Sequence, residues 1–175
     1  DAAKQLDTTR EYVREGLADA RQSIWALRTH DSRDATLPVK LRRRVEHAGS
    51  ADLASRFSVF GAYRPLSAAK ERELLRVAQE AIQNVKKHAD ASELLVRLEY
   101  GHEMIVLEVR DNGRGGAVSE ESGFAPGHFG MTGMQERAAA IGGTLEIESE
   151  PGRGTTIRLR VPASAAARES DGEPR

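Results

Sequence analysis

The chain has 175 residues and a formal net charge of −1, with 26 basic and 27 acidic side chains. This length allows one domain with a packed core and a shorter additional segment, and the balanced charge does not favour nucleic acid as a partner. The absence of cysteine excludes disulfides, thiolate zinc sites and a cysteine nucleophile. No signal peptide is visible, nor any run of about 20 apolar residues that would span a membrane. Because the first residue is Asp1 rather than Met, we expect a piece of a longer protein.

Residues 3–28 are predicted to form one long helix. The apolar side chains that recur in a heptad pattern are Leu6, Val13, Leu17, Ala20, Ile24 and Leu27. Such a seam predicts a partner helix, either in a second copy of the chain or in a segment upstream. The alternative is a single helix that lies on its own domain. A polar break follows, and we expect residues 31–38 to be a linker that ends at Pro38.

Residues 74–92, LLRVAQEAIQNVKKHADAS, are the segment around which we expect the domain to be organised. The apolar side chains at helical spacing are Leu74, Val77, Ala78, Ala81, Ile82 and Val85. Beside them, Glu80, Asn84, Lys87 and His88 recur at a spacing that predicts one polar stripe. A carboxylate can accept a proton, an amide oxygen can bind Mg²⁺, and a lysine can contact phosphate. The alternative is an ordinary solvated helix face.

The segments around this helix predict a sheet. Residues 39–48 form a short basic helix, residues 53–60 a strand, and Ser67 the cap of the central helix. Strands are predicted at 93–100 and 104–111, where alternation places Asp111 on the core side. A buried carboxylate needs a hydrogen-bond donor, and an exocyclic amine of a ligand would serve. Alternatively, Asp111 caps the turn of the following DNGRGG sequence.

The last third of the chain predicts a loop, a helix and two strands. Residues 116–130 have the composition of a closing lid or of a plain surface loop. Glycines 127, 130 and 133 lead into a helix at about 131–141, where backbone N–H groups can approach a phosphate. Strands follow at 144–149 and 155–161, and Thr155 shares the core side with Asp111, so that its hydroxyl could hold that carboxylate or a water. The tail, 163–175, is expected to be disordered.

Four of these motifs resemble those of the GHKL ATPases, which include histidine kinases, type II topoisomerases and a large heat-shock chaperone. EAIQNVKKHADAS resembles the Asn-box, DNGRG the first glycine box, GHFGMTGM the second, and PGRGTTIRLRVP the closing strand box. REGLADARQSIWALR and GMTGMQERAAAIGG are similar to sensor kinases that signal to LuxR-type response regulators. The resemblance implies an α+β Bergerat fold, with a mixed sheet, helices on one face and a long dimerisation-type helix in front.

The resemblance also implies roles for individual residues. Glu80 is the acid/base residue that orients the attacking group, Asn84 binds Mg²⁺, Lys87 and His88 reach phosphate, and Asp111 accepts from the adenine amino group. Gly113 and Gly115 let the backbone pass close to the base, Gly130 and Gly133 do so at the phosphates, and Thr155 supports Asp111. The further nucleotide-binding candidates, from the second glycine box, are His128 and Met131. The implied cofactors are ATP and Mg²⁺.

The implied organisation is a partial dimerisation and phosphotransfer bundle at 1–30, the linker, a catalytic domain at 39–162 and the tail. The helix that carries the phosphoacceptor histidine is expected to be absent, since His30-Asp31 lies in the linker. The implied activity is transfer of the γ-phosphoryl group to a histidine and then to an aspartate of a LuxR-type regulator. A cytoplasmic module that forms a homodimer through residues 3–28 is expected.

Three alternatives belong to other classes. The first is a regulatory nucleotide-binding module of the same fold without phosphotransfer. The second is a kinase that phosphorylates a serine of an anti-sigma antagonist, which the heptad helix disfavours. The third is a protein-interaction domain that uses residues 3–28 alone, which would leave Glu80 and Asp111 without a purpose.

Overall fold

The structure is a computed structural model, and it describes residues 35–116 and 129–163. Its strands are β1 (Ala54–Gly61), β2 (Glu93–Tyr100), β3 (Met104–Asp111), β4 (Thr144–Glu150) and β5 (Gly154–Pro162). They form one sheet in the order β1-β2-β3-β5-β4. The pairing of β1 with β2 is parallel, and the other three pairings are antiparallel. The predicted mixed sheet is therefore confirmed.

The helices are α1 (Leu37–Ala48), α2 (Ala68–Asn84) and α3 (Phe129–Ala140). Helix α2 begins as predicted, because the Ser67 hydroxyl accepts the backbone N–H of Lys70 at 3.3 Å. Helix α1 begins two residues earlier than predicted and takes in the end of the predicted linker. Pro38 lies in its first turn, where a missing N–H group costs no helical hydrogen bond.

All three helices pack on one face of the sheet, and the core lies between the two layers. The strands alternate as predicted, because the inward side chains of β2 and β3 are buried: Leu94, Val96, Leu98, Tyr100, Ile105, Leu107, Val109 and Asp111. The predicted inward residues Met134 and Ala138 of α3 are buried as well, as is Ile141 directly after the helix. One apolar layer thus supports the ends of β3 and α2, where the candidate residues lie.

The end of α2 differs from the prediction of a regular helix to residue 92. The α-helical part ends at Asn84, and Val85–Ala89 form one π-helical turn. Asp90 then adopts a left-handed backbone conformation, with φ of 56°, which ends the helix. A π turn holds more residues than an α turn, so Lys87 and His88 are rotated away from the line through Glu80 and Asn84. The prediction that these four side chains form a single stripe was wrong for this reason.

Several predicted features lie outside the described residues. They are the helix at 3–28, the pair His30-Asp31, most of the segment 116–130 with Gly127 and His128, and the tail after residue 163. Within the ranges that the structure does describe, no helix combines the length and the apolar character that crossing a bilayer requires.

Candidate functional site

Asp111, at the end of β3, is 5% exposed and is the one buried charged side chain among residues 35–116 and 129–163. Its Oδ1 accepts the backbone N–H of Gly113 at 2.8 Å, so the turn-capping bond of the alternative interpretation is formed. Within the described residues, no hydrogen bond to Oδ2 is found. A buried carboxylate is costly unless its oxygens accept hydrogen bonds. The side chain therefore keeps one acceptor for a donor from outside the described fold.

The turn after Asp111 is held from both sides. The Asn112 side chain accepts the backbone N–H groups of Ser92 and Glu93 at 3.0 and 2.9 Å, which ties the end of β3 to the start of β2. The Arg114 N–H donates to the Ala89 carbonyl at 2.7 Å, at the end of the π turn. The carbonyl of Arg114 accepts from Gly152, between β4 and β5. This turn therefore links the last residue of the π turn to the β4–β5 connection.

Gly113 and Gly115 allow these close approaches. A Cβ atom at Gly113 would collide with the Ala89 carbonyl and lie 2.8 Å from the Ala89 side chain. Gly115 has a φ of +57°, and a Cβ there would collide with the Glu150 carbonyl. Both glycines are thus required by contacts within the protein. Their predicted contact with a base stays a prediction.

Glu80 lies against the first turn of α3. A Cβ atom at Gly130 would collide with Glu80 Oε1 and lie 3.3 Å from Glu80 Cδ. The carboxylate is half-buried, as is Asn84 one turn further along α2. A helix N-terminus favours negative charge because its backbone N–H groups are unpaired. The Glu80 carboxylate therefore lies beside the start of α3, where Gly130 leaves room for it.

Lys87 and His88 are exposed, and they line an open cleft of about 360 Å³ at the π turn. Arg114, Asp52 and Asp90 line the same cleft, whereas Glu80 and Asn84 do not. Arg114 was not singled out from the sequence, although its place three residues after Asp111 could have indicated it. Three cationic side chains, Lys86, Lys87 and Arg114, outnumber the two carboxylates at this opening, which suits an anionic group.

The candidates that remain are Thr155, at the start of β5, and Met131 and Gly133, in α3. The Thr155 hydroxyl lies 2.9 Å from that of Ser149, and it makes no direct hydrogen bond to Asp111 within the described residues. The reason is geometric, because Ser149 is the paired residue across β4 and β5. The predicted alternative, a contact through a water, stays a prediction. Met131 is half-buried against the core, and a Cβ at Gly133 would meet only open space. Their predicted contacts with nucleotide stay predictions.

The donor set suits Mg²⁺ better than a metal held by protein alone. In the described part of the chain, no group of three or more acidic, histidine or cysteine side chains could surround an ion. Mg²⁺ commonly binds one or two protein oxygens and takes its other ligands from phosphates and water. Asn84 and the nearby Glu80 carboxylate supply oxygen donors of that kind.

Comparisons with known proteins identify the family to which this fold and this site belong. Residues 69–165 match the family described as "Histidine kinase-, DNA gyrase B-, and HSP90-like ATPase". The chain belongs to this family, which confirms the resemblance in the sequence.

Two sensor kinases are among its relatives. The chain is 33% identical over 166 residues to the signal transduction histidine-protein kinase/phosphatase DegS of Brevibacillus brevis, covering 93% of this chain and 42% of that protein. It is 37% identical over 97 residues to the sensor histidine kinase LiaS of Bacillus subtilis, covering 55% and 26%. The chain is thus homologous to sensor histidine kinases, and it spans less than half the length of these relatives.

The solved structures agree on the fold. The histidine kinase domain of the blue-light activated histidine kinase EL346 of Erythrobacter litoralis superposes with a TM-score of 0.56 at 20% identity, covering 73% of this chain and 65% of that one. The predicted α+β fold, with a mixed sheet and helices on one face, is confirmed.

Proposed function

We propose that this chain is the ATP-binding catalytic part of a sensor histidine kinase. The observation that carries the proposal is Asp111, a buried carboxylate with one oxygen paired to Gly113 and the other left as an acceptor. The family match and the homology to sensor histidine kinases support it.

Asp111 would select the base. Adenine carries an exocyclic amino group that donates, whereas guanine carries a carbonyl oxygen at the corresponding position. A buried carboxylate would accept from the first and repel the second. Gly113 and Gly115 would bring the backbone of the same turn against the edge of the base, and Thr155 with Ser149 would close the site from the β4–β5 side.

Glu80 would handle the proton during phosphoryl transfer. The acceptor imidazole nitrogen attacks the γ-phosphorus, a P–N bond forms, and the bond from phosphorus to the β–γ bridging oxygen breaks to release ADP. Glu80 would take the proton that the imidazole loses, or would hold the reactive tautomer. Lys87, His88 and Arg114 would meet phosphate charge. Mg²⁺, bound through Asn84, would supply neutralisation of the phosphate charge.

The partners follow from the same proposal. A histidine supplied outside the catalytic domain would accept the phosphoryl group, and an aspartate of a LuxR-type response regulator would receive it next. We propose that the intact protein forms a homodimer through residues 3–28 and that this module works in the cytoplasm. The names of the relatives, which are sensor histidine kinases, support a histidine as the acceptor.

Transfer in trans tests the proposal. The chain is mixed with a separate helical domain that carries an acceptor histidine, with Mg·ATP labelled on its γ-phosphate, and acid-labile label on the acceptor is followed over time. We expect transfer by the unchanged chain, and a rate lower by about 100-fold or more in Glu80→Gln. Glu103→Gln is the matched control, because that carboxylate is exposed in the β2–β3 turn at the opposite end of the sheet.

The possible results separate the proposal from its main alternative. Label that appears on the acceptor and depends on Glu80 supports the kinase. Tight ATP binding without transfer to any acceptor histidine would instead support a regulatory nucleotide-binding module. Equal losses in Glu80→Gln and Glu103→Gln would contradict the role of Glu80.

A further inference from the structure

A groove between the outer sides of α1 and α2 carries positive charge on both walls. We call it the basic groove and define it by its basic lining residues Lys40, Arg43, Arg44, His47 and Lys86. The side chains of α1 come from positions spaced by three and four, so that they form one stripe. Gln79, Gln83 and Lys86 form the facing stripe of α2 at the same kind of spacing. No carboxylate from residues 35–116 or 129–163 lines this groove.

The fold does little to neutralise these charges. Lys40 pairs with Glu71 at 3.4 Å, but Arg43, Arg44 and Lys86 have no ion pair within the described ranges. All three side chains are exposed. Like charges four residues apart, such as Lys40 and Arg44, destabilise a helix by a few tenths of a kcal/mol. The stripe thus has a cost, and the pair of Lys40 with Glu71 is its one balancing ion pair inside the described structure.

The positive charge of the basic groove contrasts with the nearly neutral chain as a whole. Acidic and basic residues are nearly balanced over the chain as a whole, at 27 and 26. On the open face of the sheet, several basic residues pair with acidic ones, as Arg158 does with Glu108 at 2.7 Å. Of the arginines and lysines in the basic groove, only Lys40 has an ion pair within the described ranges. An unbalanced patch of this kind attracts an anionic surface and accelerates its association.

We propose that the basic groove binds an acidic segment of a protein partner. The cations stand on two walls above a floor that includes the nearly buried Ile82, and amide side chains lie between them. A helix with carboxylates on one face can contact both walls of the groove, its floor at Ile82, and the amide side chains of Gln79 and Gln83. A flat lipid surface would reach only the outermost side chains. The chemistry that the groove recognises is therefore carboxylate on a protein segment.

This groove is distinct from the candidate nucleotide site. Positions 79, 83 and 86 of α2 face the groove, whereas Glu80 and Asn84 lie one position further around the helix. The groove shares only Lys86 and Ala48 with the cleft that holds Lys87 and His88. A partner in the groove would thus leave Glu80 and Asp111 accessible. The proposal stands without the phosphotransfer function.

Peptide binding tests the proposal on the full 175-residue chain. The probe is a fluorescein-labelled helical peptide rich in glutamate, and its counterpart has every glutamate replaced by glutamine. Anisotropy titrations are run at about 50 and about 200 mM salt, since pairing of exposed charges weakens with screening. We expect binding of the glutamate peptide, at least about tenfold weaker binding of the glutamine peptide, and a loss of affinity at the higher salt.

The variant Arg43→Gln/Arg44→Gln removes two charges from the groove. Its control, Arg56→Gln/Arg110→Gln, removes two charges from the exposed face of the sheet. Arg56 of β1 and Arg110 of β3 are the strand neighbours of Leu95 on that face, and neither has an ion pair among the described residues. The two variants have the same net charge. We expect about tenfold weaker peptide binding in the first and less than about a twofold change in the second. All four positions are exposed, so folding is retained, and thermal melting checks it.

Other outcomes would overturn the proposal. Equal weakening in the two variants would show that only net charge matters. Binding of both peptides with equal affinity would show that carboxylates are not recognised. Groove-dependent binding of vesicles that contain anionic lipid, or of double-stranded DNA, without binding of the glutamate peptide would assign the groove to a membrane or to nucleic acid.

Discussion

Two ends of secondary structure meet in the candidate site, and they are built differently. The end of β3 is buried at Asp111, and the turn after it is fixed by hydrogen bonds to Ser92, Glu93 and Ala89. The end of α2 finishes in a π turn whose Lys87 and His88 are exposed. Side chains at the first end are held by the core, whereas those at the second are free to adjust. We infer that the first end fixes the base and that the second adapts to the phosphates.

The largest expected effect concerns the core beneath β3. Leu107 is 1% exposed, between Leu98 and Leu159 on the neighbouring strands. Leu107→Ala is expected to lower the free energy of unfolding by about 2–5 kcal/mol, because it leaves a cavity. Val106→Ala, on the open face, should cost less than about 1 kcal/mol. Urea unfolding measures both, and equal losses would show that β3 is not anchored through the core.

A smaller effect is expected where the two ends touch. Gly113→Ala places a methyl group against the Ala89 backbone, so the turn after β3 must move away from the π turn that ends α2. We expect a loss of about 1–3 kcal/mol in the free energy of unfolding. Gly116→Ala is the control, because a Cβ there meets nothing within 4 Å, and its effect should stay within about 0.5 kcal/mol. If the two variants melt alike, the contact between the ends does not restrain the fold.

Substitutions of Gly130 and Gly133 in α3 test how Glu80 is positioned. A methyl group in Gly130→Ala would displace the flexible end of Glu80, so stability should change little, while the rate of transfer to an added acceptor histidine should fall about tenfold. In Gly133→Ala the methyl group enters open space. We therefore expect Gly133→Ala to leave the rate unchanged. If it lowers the rate as much as Gly130→Ala does, the position of Glu80 is not the cause, and both glycines are needed for approach to the phosphates, as the resemblance implies.

The smallest effect concerns Tyr100, in the last position of β2. Burial is the main reason that the pKa of Tyr100 is raised, and the nearby Tyr63 and Glu71 add to it. A folded pKa above the unfolded value of about 10 contributes stability below that pH, which is lost as the pH rises further. Tyr100→Phe should therefore reduce the alkaline loss of stability between about pH 9 and about pH 11.

At neutral pH the same variant should change stability by less than about 1 kcal/mol, because the Tyr100 hydroxyl has no partner among the described residues. Denaturant unfolding at several pH values measures both effects. Tyr63→Phe is the comparison: burial raises the pKa of Tyr63 as well, but its ring is only half-buried, so we expect this variant to reduce the alkaline loss by less. An alkaline loss that persists unchanged in Tyr100→Phe would assign it to other groups.

The sheet could be predicted from the sequence because strand alternation has a period of two. Once Leu107 and Val109 face the core, Asp111 must face it too, and it does. The helix was predicted less well, because the same VKKHA residues can continue an α-helix or form a π turn. The left-handed Asp90 and the close contact of Gly113 with Ala89 decide between the two, and they depend on the tertiary fold. The motifs identified the family, but spacing alone could not show that Thr155 pairs with Ser149.

Nucleotide binding by calorimetry tests the central claim, that Asp111 selects adenine. The chain is titrated with ATP and with GTP in the presence of Mg²⁺, together with Asp111→Ala and Asp111→Asn, and circular dichroism confirms that each variant folds. We predict that ATP binds, that GTP binds at least about 100-fold more weakly, and that Asp111→Ala loses about 10- to 100-fold in ATP affinity. Asp111→Asn, which gains a donor, should lose the preference for ATP. Equal binding of ATP and GTP, or unchanged ATP binding by folded Asp111→Ala, would contradict the claim.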